Sequence, residues 1–269
     1  MDRPPLLNSC ARVLALLIAF AALLAFAARA QGNYEVQVYG SDLVKPGTTM
    51  VEIHSNFTFQ GSKTITGGVR PTEHAVHETL EITQGFTPWL ETGFYIFTSV
   101  RAGEGWQYVG SHIRPRVSIP QEWKWPVGLS LSAEVGYQRR SYSTDTWTLE
   151  VRPIVDKQAG RWYLCFNPVF DRSFHGSEVP RGVTFSPNVK ASYDVTKKVK
   201  FGFEYYGSLG SVRGFDPIRD QQHALLAALD IDFGENWEFN IAAGPGLTAG
   251  TDHMLAKMIV GRRFNFHKK

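Results

Sequence analysis

The sequence predicts an all-β protein: a single antiparallel transmembrane β-barrel of about 12 strands behind a cleaved signal peptide. Three observations lead there. The 269-residue chain holds many stretches in which apolar and polar residues alternate, and almost none with helical 3.6 spacing. These stretches run near eleven residues, about twice an ordinary strand and the length a tilted strand needs to cross a bilayer. Their connections alternate between brief turns and longer loops rich in Gly, Ser and charge, the pattern of outer-membrane barrels.

Residues 1–30 read as the leader. A basic stretch with Arg3 and Arg12 precedes the apolar run VLALLIAFAALLAFA, which is short for a spanning helix and ends in the small-x-small pattern Ala28, Arg29, Ala30. Cleavage is expected after Ala30. Cys10 precedes the apolar run, whereas a lipoprotein cysteine follows it, so no lipid attachment is expected. Cys10 leaves with the leader, Cys165 stands alone, and no internal disulfide can form. Loss of three arginines and one aspartate takes the formal charge from +3 to about +1, which argues against a nucleic-acid partner.

Residues 31–47, QGNYEVQVYGSDLVKPG, are expected as an N-terminal periplasmic segment rather than as a piece tucked into the lumen. The barrel is expected over 48–266. Its strands fall at about 48 to 59, 73 to 84, 88 to 99, 107 to 119, 127 to 140, 145 to 156, 161 to 171, 183 to 194, 198 to 209, 221 to 233, 236 to 246 and 254 to 266. The links TQGFTP, PQEWKWP, DKQAGR, VTKKVK and GENW are brief; those around 60 to 72, 100 to 106, 172 to 182 and 210 to 220 are longer. With the brief turns periplasmic and the strand count even, both termini are expected in the periplasm.

Each strand shows one oily and one polar side. The second is the least regular: in EHAVHETLEIT the side of Val76, Leu80 and Ile82 also carries Glu78, a charge that is costly in lipid unless a bulge reverses the alternation or a rim lies near. On the fourth strand Val109, Ile113, Pro115, Val117 and Ile119 oppose His112, Arg114 and Arg116. The fifth, PVGLSLSAEVGYQ, sets Leu129, Leu131, Ala133 and Val135 against Glu134. The sixth sets Leu149, Val151 and Val155 against Glu150 and Arg152, and the ninth sets Phe201, Phe203 and Tyr205 against Lys200, Glu204 and Tyr206. Internal Pro115, Pro153, Pro168 and Pro187 remove ladder hydrogen bonds, so bulges are expected near them.

A soluble sandwich would also alternate. Against it, Trp89, Trp106, Trp123, Trp125, Trp147, Trp162 and Trp237 all fall in turns or at strand ends, where amphipathic rings meet headgroups. The last strand places Met258, Val260, Phe264 and Phe266 at alternate positions. It resembles the C-terminal signal by which outer-membrane barrels engage their assembly machinery, departing from it in the tail at 267–269, HKK.

With the apolar faces in lipid, the interior receives the pore-lining candidates His112, Arg114, Arg116, Glu134, Glu150, Arg152, Lys190, Glu204 and Lys257, together with Glu52, His54, Glu81 and Glu91. Rings of charge set selectivity in pores. Arg114 and Arg116 are expected to face Glu134, Glu150 and Arg152 as an arginine and carboxylate ladder. The same residues could pair across a narrow barrel and fill it, since twelve strands fall between filled and open barrels.

No cofactor, metal site or catalytic residue is expected. HAVHE, His74 to Glu78, has the helical zinc spacing, but on a strand His74 and His77 point opposite ways. A lipid hydrolase would need a nucleophile and base at the outer wall; His223 has no serine beside it, and Ser55 with His74 has no evident orienting carboxylate.

With the strands laid out, TWTLEVRPIVDKQAGRWY and FGFEYYGS carry a strand, short turn, strand texture that resembles the outer-membrane barrels filed as transporters of the phenol-degradation MetA type. The resemblance is one of architecture over residues 48 to 266. It implies passage of small, aromatic or hydrophobic, compounds across the outer membrane and assigns no residue a role. The sequence thus predicts a Gram-negative outer-membrane channel or transporter passing small solutes, aromatic or anionic, through a narrow charged lumen. A structural or adhesive barrel with a plugged lumen is the alternative, and an outer-membrane lipid hydrolase the third.

Overall fold

The computed structural model of the protein describes residues 34–266; the expected signal peptide at 1–30 and the tail at 267–269 lie outside the described residues. Twelve long strands run antiparallel: β1 (Thr48–Gln60), β2 (Val76–Thr87), β3 (Leu90–Arg101), β4 (Gly105–Ser118), β5 (Gly128–Gln138), β6 (Trp147–Ala159), β7 (Trp162–His175), β8 (Val183–Asp194), β9 (Val199–Ser208), then β11 (Gln222–Ile231), β12 (Trp237–Pro245) and β13 (Met254–Asn265). A two-residue β10 (Gly210–Ser211) extends the edge of β8. Each long strand pairs with its sequence neighbours, β9 with β11, and β13 returns to β1, with Thr48 opposite Asn265. The barrel is closed. Closure is what hydrocarbon demands, because an unpaired sheet edge would leave backbone N–H and C=O groups with no partner there.

All twelve strands expected from the alternation are present. The outer faces carry Ile53, Phe94, Ile113, Leu131, Phe166, Phe203 and Ile241, all exposed. The seven tryptophans stand at strand starts or in turns, and all are exposed.

Glu78 does face outward, but no bulge reverses its strand: β1 and β2 pair without interruption from Thr49 with Gln84 to Phe57 with Val76. It is the third residue of β2, close to the long-loop rim. There the Ser55 hydroxyl donates to its carboxylate at 2.7 Å.

Two expectations about the ladder are corrected. The prolines do not sit at bulges. Pro168 pairs directly opposite Pro187, and around Pro115 and Pro153 the ladder is interrupted with equal numbers of residues on both strands. Register shifts fall instead near strand ends, between Thr58 and Gln60, Gly85 and Thr87, Phe97 and Thr98, and Trp147 and Thr148. The third of these turns Val109, expected on the lipid side, into the interior, where it is fully buried with Tyr34, Tyr95, Phe97 and Tyr142.

The largest departure concerns the residues before β1. Those expected as a periplasmic lead-in run inside the barrel from Tyr34 to Val44, and residues 45–47 turn into β1. Tyr34, Val36, Val38, Tyr39, Ser41 and Val44 are buried, and their partners come from opposite walls: Thr79 on β2, Glu91 on β3 and Asn167 on β7.

Candidate functional site: the barrel interior

Period-two alternation sends every second side chain inward, so the interior is built from one face of each strand plus the inner segment. All nine pore-lining candidates lie on that face. The structure sorts them into three ionic groups and does not produce the expected ladder.

On β2 to β4, Arg114 Nη2 donates to Glu81 Oε1 at 2.8 Å, and Arg116 Nε donates to Glu91 Oε1 at 2.8 Å. The arginines thus turn toward β2 and β3, away from Glu134 and Glu150. The cause is in the register: Arg116 stands opposite Glu91, and Arg114 stands opposite Gly93. With no side chain at Gly93, Arg114 reaches across β3 to Glu81. On β4 to β6, His112 Nδ1 meets Glu134 Oε1 at 2.5 Å, while Arg152 makes a two-point contact with Glu150, Nε to Oε1 at 2.6 Å and Nη2 to Oε2 at 2.9 Å. On β8, β9 and β13, Glu204 is held between Lys257 Nζ at 2.6 Å and Lys190 Nζ at 3.1 Å, and Lys190 also reaches Asp230 at 2.7 Å. Charges with partners this close neutralise one another and rigidify the wall.

The inner segment is pinned at its backbone. Asn167 accepts from Tyr39 N at 2.8 Å and donates Nδ2 to Tyr39 O at 3.0 Å; the Cys165 thiol also reaches Tyr39 O, at 3.0 Å. Arg116 donates to the carbonyls of Gly40 and Asp42, at 3.0 and 2.8 Å. Ser41 bonds Asp156 through both N and Oγ, and Val44 N donates to Glu91 Oε2 at 2.6 Å. At two points a glycine lets the segment come close. A Cβ on Gly85 would lie 2.2 Å from Val44 O, and one on Gly128 would lie 2.1 Å from Ser41 Oγ.

The side chains of the segment pack as a core. Val36, Val38 and Tyr39 join Ile154 and Cys165, and on the far wall Ala224, Leu226, Ala228, Ala242 and Leu255. Sequence reasoning missed this contact. The signal was present: in HALLAALDI both faces of β11 are apolar, and YEVQV alternates. A strand greasy toward lipid and toward the lumen needs an apolar partner inside.

Two cavities flank this core. One of about 760 Å³ opens among the long loops and is lined by Tyr34, Arg70, Tyr142, Glu150, Arg152 and Tyr206, among others. The second, about 410 Å³, lies at the short-turn end, with Ser41, Asp42, Gln121, Asp156, Tyr163 and Lys200 in its wall. Of the nine candidates, Glu150, Arg152 and no others reach the first cavity's wall, and none reaches the second.

Above the first cavity the 61–75 loop is tied by Glu73, whose Oε2 accepts from Gly61 N at 2.7 Å. That backbone bond, with the Lys63 charge nearby, holds the Glu73 carboxyl below the usual carboxylate range.

The hydrolase candidates separate. Ser55 bonds Glu78, and His74 lies exposed beside Glu73 in the turn before β2. His223, on the outer face, meets Tyr205 Oη at 2.6 Å and Gln221 Oε1 at 2.9 Å, with no serine in this set. His77 points inward, against the ring of Tyr34.

A closed twelve-stranded barrel with an aromatic rim and a charged interior is an outer-membrane-type β-barrel of porin-like construction. Residues 56–255 match the family described as "Putative MetA-pathway of phenol degradation", and the chain belongs to that family. Among solved structures it is similar to the COG4313 outer membrane channel from Pseudomonas putida F1, at 11% identity and TM-score 0.57, covering 86% of this chain and 100% of that one. It is also similar to the NanC porin, at 7% identity and TM-score 0.52 over 78% and 97%, and to the KdgM porin, at 9% and 0.50 over 81% and 99%. These likenesses are of fold. No curated protein matches the sequence.

Proposed function

We propose that the chain is a passive channel for small solutes in the outer membrane of a Gram-negative bacterium, with short turns and both chain ends on the periplasmic side. The observation that carries this reading is the spacing of the two cavities. Along the inner face of β6, Arg152 borders the upper cavity and Asp156 the lower, and Ile154 is the one inward residue between them. Four residues of strand span roughly 13 Å, so displacement of the inner segment from this gap would join the two. The upper cavity is of a size for a small molecule, and Arg101 and Arg140 with Tyr34, Tyr142 and Tyr206 in its wall suit an anionic or aromatic one. Outer-membrane lipid surrounds the wall, and β13, ending toward Phe266, is the strand offered to the assembly machinery.

The packing of Val36, Val38 and Tyr39 against β11 to β13 favours a second reading, a plugged structural or adhesive barrel. Single-channel recording in planar bilayers separates the two. Discrete conductance steps are expected from a channel; a bilayer that stays sealed under voltage with folded protein inserted would sink it.

A further inference from the structure

Glu52 and Glu81 face each other directly across the β1–β2 ladder, on the interior side. Like charges so placed repel unless a cation or a proton lies between them. Arg114 serves one oxygen of the pair, Glu81 Oε1, as does the Thr83 hydroxyl at 2.7 Å. Two of the other oxygens are left over: Glu52 Oε1 and Glu81 Oε2 are buried without a hydrogen-bond partner. His54, two residues along on the same face and fully buried, has no hydrogen bond at either ring nitrogen, and its Nε2 stands 3.4 Å from Glu81 Oε2. Orphaned buried polar atoms are rare and call for an explanation.

One atom from each of Glu52, His54 and Glu81 lies within 4.8 Å of the other two. The 3.4 Å separation of His54 Nε2 and Glu81 Oε2 is close to the edge of a tetrahedron with bonds of roughly 2.1 Å, and a small rotation of Glu52 would bring the third ligand in. The charge also fits. Glu81 and Glu91 pair with Arg114 and Arg116, so the Glu52 carboxylate leaves the group one negative charge in excess before His54 is counted, and imidazole binds metal in its neutral form. One nitrogen and two oxygens suit a borderline first-row cation better than the hard, all-oxygen Mg²⁺ or Ca²⁺.

We propose that Glu52, His54 and Glu81 bind one divalent transition-metal ion, with Zn²⁺ the expected species, inside the wall between β1 and β2. The ion would be bound by Glu81 Oε2 while Oε1 keeps its bond to Arg114. It would thereby clip β1 to β2 beside the ionic group that grips the inner segment. The site is unrelated to the HAVHE stretch, whose histidines stand apart.

The test is metal content. Detergent-solubilised protein is refolded with and without Zn²⁺, dialysed against a weak chelator and assayed by elemental analysis, with heat-modifiable gel mobility as the check on folding. One Zn²⁺ per chain is expected in the folded wild type, with affinity reduced more than about tenfold in His54→Gln and Glu52→Gln, since even changes outside the ligand set commonly cost that much. Folded wild type that retains no Zn²⁺ overturns the proposal without recourse to any variant. Co²⁺ substitution adds a second readout: a thiolate-to-metal absorption band would place the ion on Cys165 and overturn it equally.

Discussion

The ring centroid of Tyr39 lies 4.3 Å from the Arg114 guanidinium carbon, and Arg152 and Arg116 approach it at 4.7 and 5.7 Å. A residue of the inner segment thus sits among three charges carried by two strands. Each desolvated contact of this kind is worth about 2 kcal/mol. Tyr39→Ala is therefore expected to raise single-channel conductance or open probability, while Tyr39→Phe, which keeps the face of the ring, stays near wild type. Equal conductance in Tyr39→Ala and wild type would show that the segment does not obstruct the path.

Asn167 satisfies both backbone groups of Tyr39, and Cys165 lies buried beside them. Asn167→Ala leaves Tyr39 N without this partner and Tyr39 O with the Cys165 thiol alone, at about 1–3 kcal/mol for the lost N–H bond. Labelling of Cys165 by a soluble maleimide should be slow in folded wild type and at least ~10-fold faster in Asn167→Ala, by mass spectrometry, if the segment opens at that cost.

Arg116 and Arg152 should behave differently despite their similar burial. Arg116 holds Glu91 and two carbonyls of the segment, so Arg116→Ala takes from the buried Glu91 carboxylate its nearest cation, leaving Val44 N and the more distant Arg114 at 3.6 Å, and is expected to cost about 3 kcal/mol, read as a lower midpoint of urea unfolding. Arg152 borders the upper cavity, and Arg152→Gln should instead shift the reversal potential in a salt gradient toward cations. A selectivity change in Arg116→Ala with unchanged stability would reverse these roles.

Glu73 gives a pH dependence whose sign is fixed. Its carboxyl titrates lower in the fold than in a free chain, so the stability it lends the 61–75 loop is present above the ordinary carboxylate range and fades as pH falls through that range and below. Proteolysis after Lys63 should accelerate on acidification in wild type. In Glu73→Gln the rate should already be high and nearly flat with pH.

The lipid wall offers a stability test. Leu131 is exposed on the outer face at the fourth position of the eleven-residue β5. Leu131→Arg is expected to cost up to about 2–4 kcal/mol if that position lies near the bilayer midplane. The inward neighbour Ser132 should tolerate Ala within about 1 kcal/mol, because its hydroxyl has no hydrogen-bond partner.

How much of this was legible beforehand depends on the range over which each signal acts. The sequence by itself determined the twelve strands, their inner and outer faces and the aromatic rim, because period two and turn chemistry are local and hydrocarbon admits no other closure for such strands. It also placed all nine charged candidates indoors. Tertiary structure decided what those charges do. Arg114 turns to Glu81 because Gly93 leaves the way open, and Val109 turns inward because the β3–β4 ladder slips by one residue. The place of residues 34–47 was likewise decided there: YEVQV shows what it could bury and β11 shows a face in need of cover, but the match between them exists only once the barrel has closed around both.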